Sequence, residues 1–212
     1  MTNRPRLEDM QRADFPMGGE PLAALDLADT LMLAAQPPVD LMDSPAASAT
    51  WWALQASRLP EGPTPSLEAT RTLRAAIRDV FDAHLAGRPP QDTSVEDINA
   101  AAATVPTSPR MVRSQTGTTM QTRWHTEQGG NAALAAVARE TIELFASPAR
   151  LATLRRCANP SCSMLFLAAN KRRTWCAANV CGNRVRVARH YERTRGANSN
   201  PQITTDERHT QG

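Results

Sequence analysis

The four cysteines of this 212-residue chain all lie between residues 157 and 181, and the first 156 residues contain none. Cys157 and Cys162 form one C-x4-C pair, Cys176 and Cys181 form a second, and 13 residues separate the two pairs. Two such pairs supply the four thiolates that tetrahedral zinc requires. The spacing therefore predicts one structural Zn2+ ion, with buried thiols or a redox-active dithiol pair as the alternatives.

A zinc site of this kind has consequences for folding and for chemistry. The apolar residues between the two cysteine pairs are too few to hold a segment of about 40 residues folded, so the metal is expected to supply much of the folding free energy. Four thiolates leave no open coordination position, which argues against a zinc hydrolase. His84, His125 and His209 have no sequence neighbour that suggests a nucleophile with an orienting acid. We therefore expect that the protein is not an enzyme.

Basic charge is concentrated in the segment that contains the cysteines. Residues 1–154 carry 13 arginines and 18 acidic residues, a net charge of −5. Residues 155–195 carry nine arginines, one lysine and one glutamate, a net charge of +9. This clustering is typical of nucleic-acid binding, because basic side chains that neutralise phosphates release counterions. A solvated basic surface is the alternative interpretation.

A basic helix is predicted to follow the last cysteine, with Asn183 as its N-cap and Gly196 beyond its end. At 100° per residue, Arg186, Arg189 and Arg193 share one face of this helix, opposite an apolar seam. The pattern predicts that these three arginines contact DNA.

Three further arginines are candidates for DNA contact. Arg184 falls on the seam side of an ideal helix, where it contacts a phosphate from the helix start or serves the structure of the metal-binding segment. Arg172 and Arg173 lie between the two cysteine pairs and are expected to reach the phosphate backbone. Arginine suits this role because its planar fork matches both phosphate oxygens and the guanine edge.

The segment "RCANPSCSMLFLAANKRRTWCAANVCGNRVRVARHYERTR" resembles the CGNR-type zinc finger, which is named for the tetrapeptide at residues 181–184. The shared features are both cysteine pairs, Phe166 after the first pair, the arginine-rich approach to Trp175 and the basic helix. Ala168 and Ala169 stand where the family finger usually has Asp and Ser, but the zinc ligands are intact. The resemblance implies a metal-stabilised module.

The sequence "GGEPLAALDLADTL" at residues 18–31 is similar to the opening of the ABATE domain, and "LRAAIRDVFDAHLAGRPP" at residues 73–90 continues the likeness. Asp29 stands where that family often has Asn. The ABATE domain commonly precedes a CGNR finger and is described as a stress-induced transcription regulator. The resemblance implies a regulator whose finger contacts DNA and whose helical domain senses an effector or forms a homodimer.

Two other functions stay open at this point. In the first, zinc is purely structural and the arginines dock onto an acidic protein surface, which can be the chain's own N-terminal domain at −5. In the second, the four thiolates act as a redox sensor and release zinc reversibly on mild oxidation.

Helical periodicity dominates residues 20–154. Apolar residues recur at helical spacing from Leu22 to Ala35. Ser44 and Pro45 are predicted to begin the next helix as N-cap and first residue. Trp51 and Trp52 are adjacent in that helix, so at most one of them is expected to face the core squarely.

The second half of this region contains further helices and one hairpin. Leu73 to Leu85 make the clearest amphipathic helix, and Ser94 is predicted to cap a fourth. Residues 110–125 are threonine-rich and semi-alternating, which predicts a β-hairpin. A long helix is predicted over residues 131–146, and residues 149–157 are expected to lead helically into the first cysteine pair.

The predicted fold is therefore mainly α with a small β-hairpin. A helical N-terminal domain at residues 20–154 is followed by a zinc-finger module at residues 155–195, between disordered tails at residues 1–19 and 196–212. The longest apolar run falls short of the roughly 18–20 residues that a membrane span needs, and the N-terminus lacks the apolar stretch of a secretory signal. We expect a cytoplasmic protein that does not contact a membrane.

Overall fold

The computed structural model describes residues 4–15, 18–115, 117–188 and 191, and contacts divide the chain into two units, Met1–Cys176 and Ala177–Gly212. Helices α1 to α7 of the first unit span Leu7–Arg12, Ala23–Ala28, Pro45–Gln55, Leu67–Ala86, Asp92–Ala103, Ala132–Phe145 and Pro148–Leu151. Strands β1 to β6 span Leu31–Met32, Val39–Asp40, Thr107–Ser114, Gly117–Trp124, Leu154–Arg156 and Leu165–Leu167. They pair in sequence as three antiparallel two-stranded sheets. The predicted class, mainly α with a small β-hairpin, is confirmed.

Local capping sets the ends of the long helices. The side chains of Ser44, Ser66 and Asn131 each accept a hydrogen bond from a backbone N–H in the first turn of α3, α4 or α6. Pro45 follows Ser44 as the first helical residue, as predicted. Helix α4 ends at Ala86 and is followed by Gly87, whose φ of 65° lies in the left-handed region that glycine adopts without strain.

The core of the first unit lies where α2 packs against α4 and α6, with α3 and α5 beside α4. Trp51 and Trp52 are both buried in this core, at 0 % and 5 % exposure, so the expectation that only one of them faces inward is wrong. The two rings lie edge to face, with centroids 4.9 Å apart. Burial of the second ring is tolerated because its Nε1–H donates to Thr70 Oγ1 over 3.0 Å.

The N-terminal segment differs from the disordered tail that was expected over residues 1–19. Helix α1 occupies Leu7–Arg12, and Met10 and Phe15 are buried in the main core. These two apolar side chains give the segment a packing surface that its polar composition conceals. The expected C-terminal tail, residues 196–212, lies outside the described residues.

The helix expected from Leu22 to Ala35 is shorter than its apolar pattern suggests. Helix α2 ends at Ala28, and the chain then turns into the short strand β1. The hydroxyl of Thr30 donates to the carbonyl of Leu27 over 2.7 Å, which occupies an acceptor at the end of the helix.

Two further expectations were wrong in local detail. Helix α5 begins after Gln91, which has an extended backbone, so Ser94 is not its N-cap and lies within the first turn instead. The chain also does not run helically into the first cysteine. Helix α7 ends at Leu151 and strand β5 follows, because pairing with β6 carries Leu154 into the main core.

The hairpin predicted over residues 110–125 is confirmed and is longer at its start. Strands β3 and β4 pair from Thr107 opposite Trp124 to Ser114 opposite Gly117, and we call this pair of strands the ribbon. Strands β5 and β6 form a much shorter hairpin, from Leu154 to Leu167, which we call the metal hairpin because it adjoins the first cysteine pair.

The second unit consists, in its described part, of a π-helical turn at Ala178–Gly182 and a helical run over residues 183–188. Asn183 is not an N-cap, because the preceding turn already begins the helical path and Asn183 itself has helical angles, φ −68° and ψ −45°. Its amide instead donates to the carbonyl of Asn179 over 2.9 Å. Within the described residues, no helix has both the length and the apolar character that crossing a membrane demands.

Candidate metal centre

A tight turn beyond the metal hairpin brings the first two cysteines together. The backbone N–H of Cys157 donates to the carbonyl of Met164 over 2.9 Å, which extends the β5–β6 pairing by one step. Asn159 is buried and closes the turn: its carbonyl accepts from the N–H of Cys162 at 2.9 Å, and its Oδ1 accepts from Ser161 N–H at 3.1 Å. The first cysteine pair is therefore shaped by local hydrogen bonds.

The chain that approaches the second cysteine pair is held beside this turn. Ala158 N–H donates to the carbonyl of Thr174 over 3.0 Å, two residues before Cys176. This contact sets the sulfur of Cys176 3.8 Å from the sulfur of Cys162. In a regular tetrahedron with Zn–S bonds of about 2.3 Å, neighbouring sulfurs are about 3.8 Å apart, so this separation fits a shared zinc ion.

The ligand atoms of Cys157, Cys162, Cys176 and Cys181 all lie within 4.8 Å of one another. None of the four is in a disulfide, and all but Cys162 are buried. Four thiolates at this spacing can form a closed site for one structural zinc ion, so the predicted cofactor is confirmed, and the four predicted ligands are the residues that the structure brings together. A closed thiolate site holds the fold and has no open position from which to activate water.

The metal hairpin is part of the core of the helical domain. Leu154, Leu165 and Leu167 are buried and belong to the same apolar cluster as α2, α4 and α6. The few apolar residues of the segment therefore do not have to form a core of their own. Both protein packing and metal binding stabilise the hairpin.

Buried polar groups tie the metal hairpin to α2 and α4. Both carboxylate oxygens of Asp29 lie 3.0 Å from the backbone N–H of Leu165, and Arg78 Nη1 lies 3.5 Å from the same carboxylate. Arg78 also donates to the carbonyl of Ser163 over 2.8 Å and to Asp82 over 2.9 Å. Burial raises the pKa of Asp29 well above its usual range, against the lowering effect of Arg78.

A second polar link joins the hairpin to the segment before α2. Arg173 donates to Glu20 Oε1 over 2.6 Å and to the backbone carbonyls of Leu167 and Cys176 over 3.0 and 2.6 Å. Its guanidinium also lies over the ring of Phe166, 4.3 Å from the centroid. Arg173, which the sequence suggested for phosphate contact, thus has its donors directed at protein acceptors beside the zinc site.

The remaining arginines that were predicted to contact DNA are placed differently. Arg172, Arg184 and Arg186 are exposed. Arg186 Nε donates to the carbonyl four residues earlier over 3.2 Å, and its Nη2 donates to Asn183 Oδ1 over 2.8 Å, which orients the guanidinium along the helix. Arg189 and Arg193 lie outside the described residues.

Asp26 and Asp29 are two buried structural residues that sequence reasoning missed. Asp26 forms an ion pair with Arg58 at 2.5 Å in which both side chains are 1 % exposed, and it accepts hydrogen bonds from the N–H groups of Gly19 and Glu20 at 3.0 Å. A usable signal was present in the sequence: Asp26 lies inside the apolar run "AALDLA", and an acid in a run that is buried, as all of α2 is, needs an internal partner.

The structure also brings together a serine, a histidine and an acid that looked unrelated in sequence. His125 Nε2 lies 2.9 Å from Ser108 Oγ, and His125 Nδ1 lies 2.9 Å from Glu127 Oε1. The serine is on β3 and the glutamate is in the turn after β4, with its side chain 55 % exposed. The three side chains link the start of the ribbon to the turn that follows it.

Two family models match the chain. The ABATE family, described as "Putative stress-induced transcription regulator", matches residues 22–148. The CGNR zinc finger matches residues 153–194 and therefore contains all four cysteines. No curated protein matches the chain in sequence.

Proposed function

We propose, from the premise that the chain belongs to the ABATE family and carries a CGNR zinc finger, that it is a zinc-dependent, DNA-binding transcription regulator. The observation that carries the proposal is the net charge of +9 over residues 155–195, in a segment whose fold is organised by four zinc ligands. Dense positive charge on a rigid support is what affinity for a phosphate backbone requires.

The proposal assigns DNA contact to Arg172, Arg184 and Arg186, which are exposed, together with Arg189 and Arg193 on the sequence pattern. Arg186 keeps free N–H groups for a phosphate, since a guanidinium has five donors and its two hydrogen bonds use only part of them. Arg173 is left out because its donors already have protein acceptors.

The helical domain is assigned the sensing of an effector or the formation of a homodimer. Its surface carries an apolar hollow of about 230 Å3 between α4, α5 and α6, lined by Val80, Ile98 and Phe145 among others. Apolar hollows of this kind accommodate small ligands or side chains of a partner.

Selection of bound DNA from a random pool tests the proposal directly. The zinc-loaded protein is expected to enrich a motif, and the chelator-treated protein is expected to enrich none.

The double variant Arg184→Ser/Arg186→Ser should bind the enriched duplex more weakly and with a flatter salt dependence, by about 0.9 in slope for each phosphate that is no longer neutralised. Arg6→Ser/Arg12→Ser is the matched control, because it removes the same charge from exposed arginines of α1 and its N-cap. Equal binding by both double variants would remove the finger from the interface.

A second candidate function, docking of the basic segment onto acidic protein surface, is favoured by two contacts. Arg156 pairs with Asp82 at 2.8 Å and Arg173 pairs with Glu20 at 2.6 Å, so two of the basic residues already bind acids of residues 20–154. In this candidate the zinc is purely structural and the exposed arginines bind an acidic partner. Failure of the zinc-loaded protein to bind any duplex, with retained binding to an acidic protein surface, would favour it.

We further infer that the protein is not an enzyme. The zinc site is closed, and Glu127 of the Ser108–His125–Glu127 chain is more than half exposed, so water screens its effect on the histidine. We assign these three hydrogen-bonded side chains to fixing the start of the ribbon. Hydrolysis of an activated ester by the wild type and by Ser108→Ala should be equally slow; a rate that falls with the substitution would contradict the assignment.

A further inference from the structure

The ribbon is formed by the two longest strands among the described residues, and most of its side chains are exposed to solvent. Each of its strands has eight residues, so it extends about 27 Å. All but Ser108, Val112 and Trp124 of its described residues are exposed, on both faces. A two-stranded ribbon with both faces in water is marginally stable by itself, so this length needs support at the base or a partner along its faces.

The base of the ribbon is firmly held. Trp124 packs against Val105 and its neighbours in a small apolar cluster, and the guanidinium of Arg139 lies 4.8 Å from its ring centroid. Arg139 also donates to the carbonyls of Ala102 and Val105 over 3.0 and 2.7 Å and to Thr107 Oγ1 over 2.9 Å. These contacts present the rest of the ribbon to solvent from a fixed support.

All the charged side chains of the ribbon are basic. Residues 107–124 contain three arginines and no acid, within a region whose net charge is negative. Among the described residues, no acid forms an ion pair with Arg110 or Arg113, and Arg123 has only a loose, exposed contact with Glu127 at 3.7 Å. The arginines of the ribbon are therefore available to an anionic partner.

The strand register separates two faces of different chemistry. Arg110 lies directly opposite Gln121, and Ser108 lies opposite Arg123, so these four side chains project from one face, which we call the arginine face. The other face carries Met111 directly opposite Met120, at 81 % and 70 % exposure, with Arg113 opposite Thr118 further along it, and we call it the methionine face.

We propose that the arginine face of the ribbon is a second DNA-contacting surface, which enters the major groove. A two-stranded β-ribbon fits the major groove, arginine pairs with the guanine edge and glutamine pairs with the adenine edge. The choice of DNA as partner rests on the proposed function, but the contact itself does not require the zinc finger.

The methionine face provides the internal control. A protein partner, including a second copy of this chain, would cover Met111 and Met120, because apolar side chains at this exposure are the ones that protein association buries. DNA binding through the arginine face leaves both methionines uncovered. Substitutions on opposite faces of the same two strands therefore separate the two partners.

The test compares four double variants of the zinc-loaded, full-length protein on the selected duplex by fluorescence anisotropy. They are Arg110→Ser/Arg123→Ser, Met111→Thr/Met120→Thr, Arg184→Ser/Arg186→Ser and the charge-matched control Arg6→Ser/Arg12→Ser. The first is expected to weaken binding roughly tenfold or more and to relax the sequence preference at the base pairs that the ribbon contacts, whereas the methionine-face variant and the control should bind like the wild type. Unchanged unfolding temperatures establish that each variant is folded.

The outcomes separate this inference from the proposed function. If the Arg184/Arg186 variant loses binding and the Arg110/Arg123 variant does not, the ribbon inference is overturned and the finger assignment holds. If the reverse occurs, the ribbon inference holds and the finger assignment fails. If the methionine-face variant loses self-association in sedimentation while the Arg110/Arg123 variant binds DNA like the control, the ribbon is an association surface and the inference is overturned.

Discussion

The ribbon and the metal hairpin are both antiparallel hairpins of the first unit, but they differ in strand length and in burial. The metal hairpin has three residues in each strand, and every residue of its second strand, Leu165–Leu167, is buried. The ribbon has eight residues in each strand and is exposed over most of its length. Of these two hairpins, the shorter one therefore has the more buried strand.

The difference shows where each hairpin obtains its stability. Leu154, Leu165 and Leu167 join the helical core, and Asp29 and Arg173 satisfy nearby polar groups. The ribbon depends on its base and on its own cross-strand hydrogen bonds. Burial fixes the metal hairpin beside the zinc ligands, whereas exposure leaves the ribbon accessible to a partner.

Loss of zinc should have the largest effect on stability, and it tests whether the metal hairpin supports the helical domain. Chelation, or Cys157→Ser, is expected to lower the unfolding temperature of the whole helical domain, because the metal hairpin is part of its core. Zinc binding contributes about 10–16 kcal/mol in isolated finger peptides, which bounds the effect here. Thermal unfolding followed by circular dichroism measures it, and re-added zinc is the control. An unchanged helical transition without zinc would mean that the finger folds independently.

Breaking the Asp29 link should give the next largest effect. Asp29→Ala leaves the Leu165 N–H without an acceptor in a buried site and removes one of the partners of Arg78, which is expected to cost up to about 3 kcal/mol in the free energy of unfolding. Asp29→Asn keeps an acceptor and should cost clearly less. Urea unfolding measures both. Glu127→Ala, at the exposed end of the ribbon's hydrogen-bonded chain, is the comparison variant; a loss as large as that of Asp29→Ala would contradict the contrast between the hairpins.

The pH dependence of stability tests the buried ion pair of Asp26, which also holds the backbone of Glu20, whose side chain accepts from the N–H of Leu167 in the metal hairpin. Burial raises the pKa of Asp26 to about 6, although Arg58 acts in the opposite direction. The folded state then binds this proton more tightly than the unfolded state, so the free energy of unfolding falls as pH rises from about 4 to 6, by about 3 kcal/mol for this group. The difference between wild type and Asp26→Asn, measured by urea unfolding across that range, isolates the effect. A difference that does not vary with pH would show that the carboxylate stays ionised.

The smallest effect is expected on the methionine face. Met111→Ala should change the free energy of unfolding by no more than about 0.5 kcal/mol, because its side chain is 81 % exposed. Leu165→Ala, in the buried strand of the metal hairpin, should cost about 2–5 kcal/mol in the same urea measurement. Comparable losses would mean that the ribbon packs against something in solution.

Features that depend on a few neighbouring residues were predictable from the sequence. Ser44 caps α3 with Pro45 behind it, the ribbon falls in the threonine-rich segment, and Cys157 and its three partners gather as their spacing indicated. Features that depend on distant partners were not. Phe15 is buried although the preceding segment is rich in charged residues, and the adjacent Trp51 and Trp52 both enter the core because other helices surround them.

Arg172 and Arg173 illustrate the difference between what the sequence indicates and what only the tertiary structure decides. Adjacent and chemically identical, they looked equally suited to bind phosphate, and the sequence by itself determined only that this loop beside the zinc ligands is basic. Tertiary structure left Arg172 exposed and directed Arg173 to Glu20, 153 positions away. Local spacing sufficed for the cap of α3, for the ribbon and for the thiolate pairs, because their partners are near in the chain. The availability of a charge depends on which distant groups folding places around it.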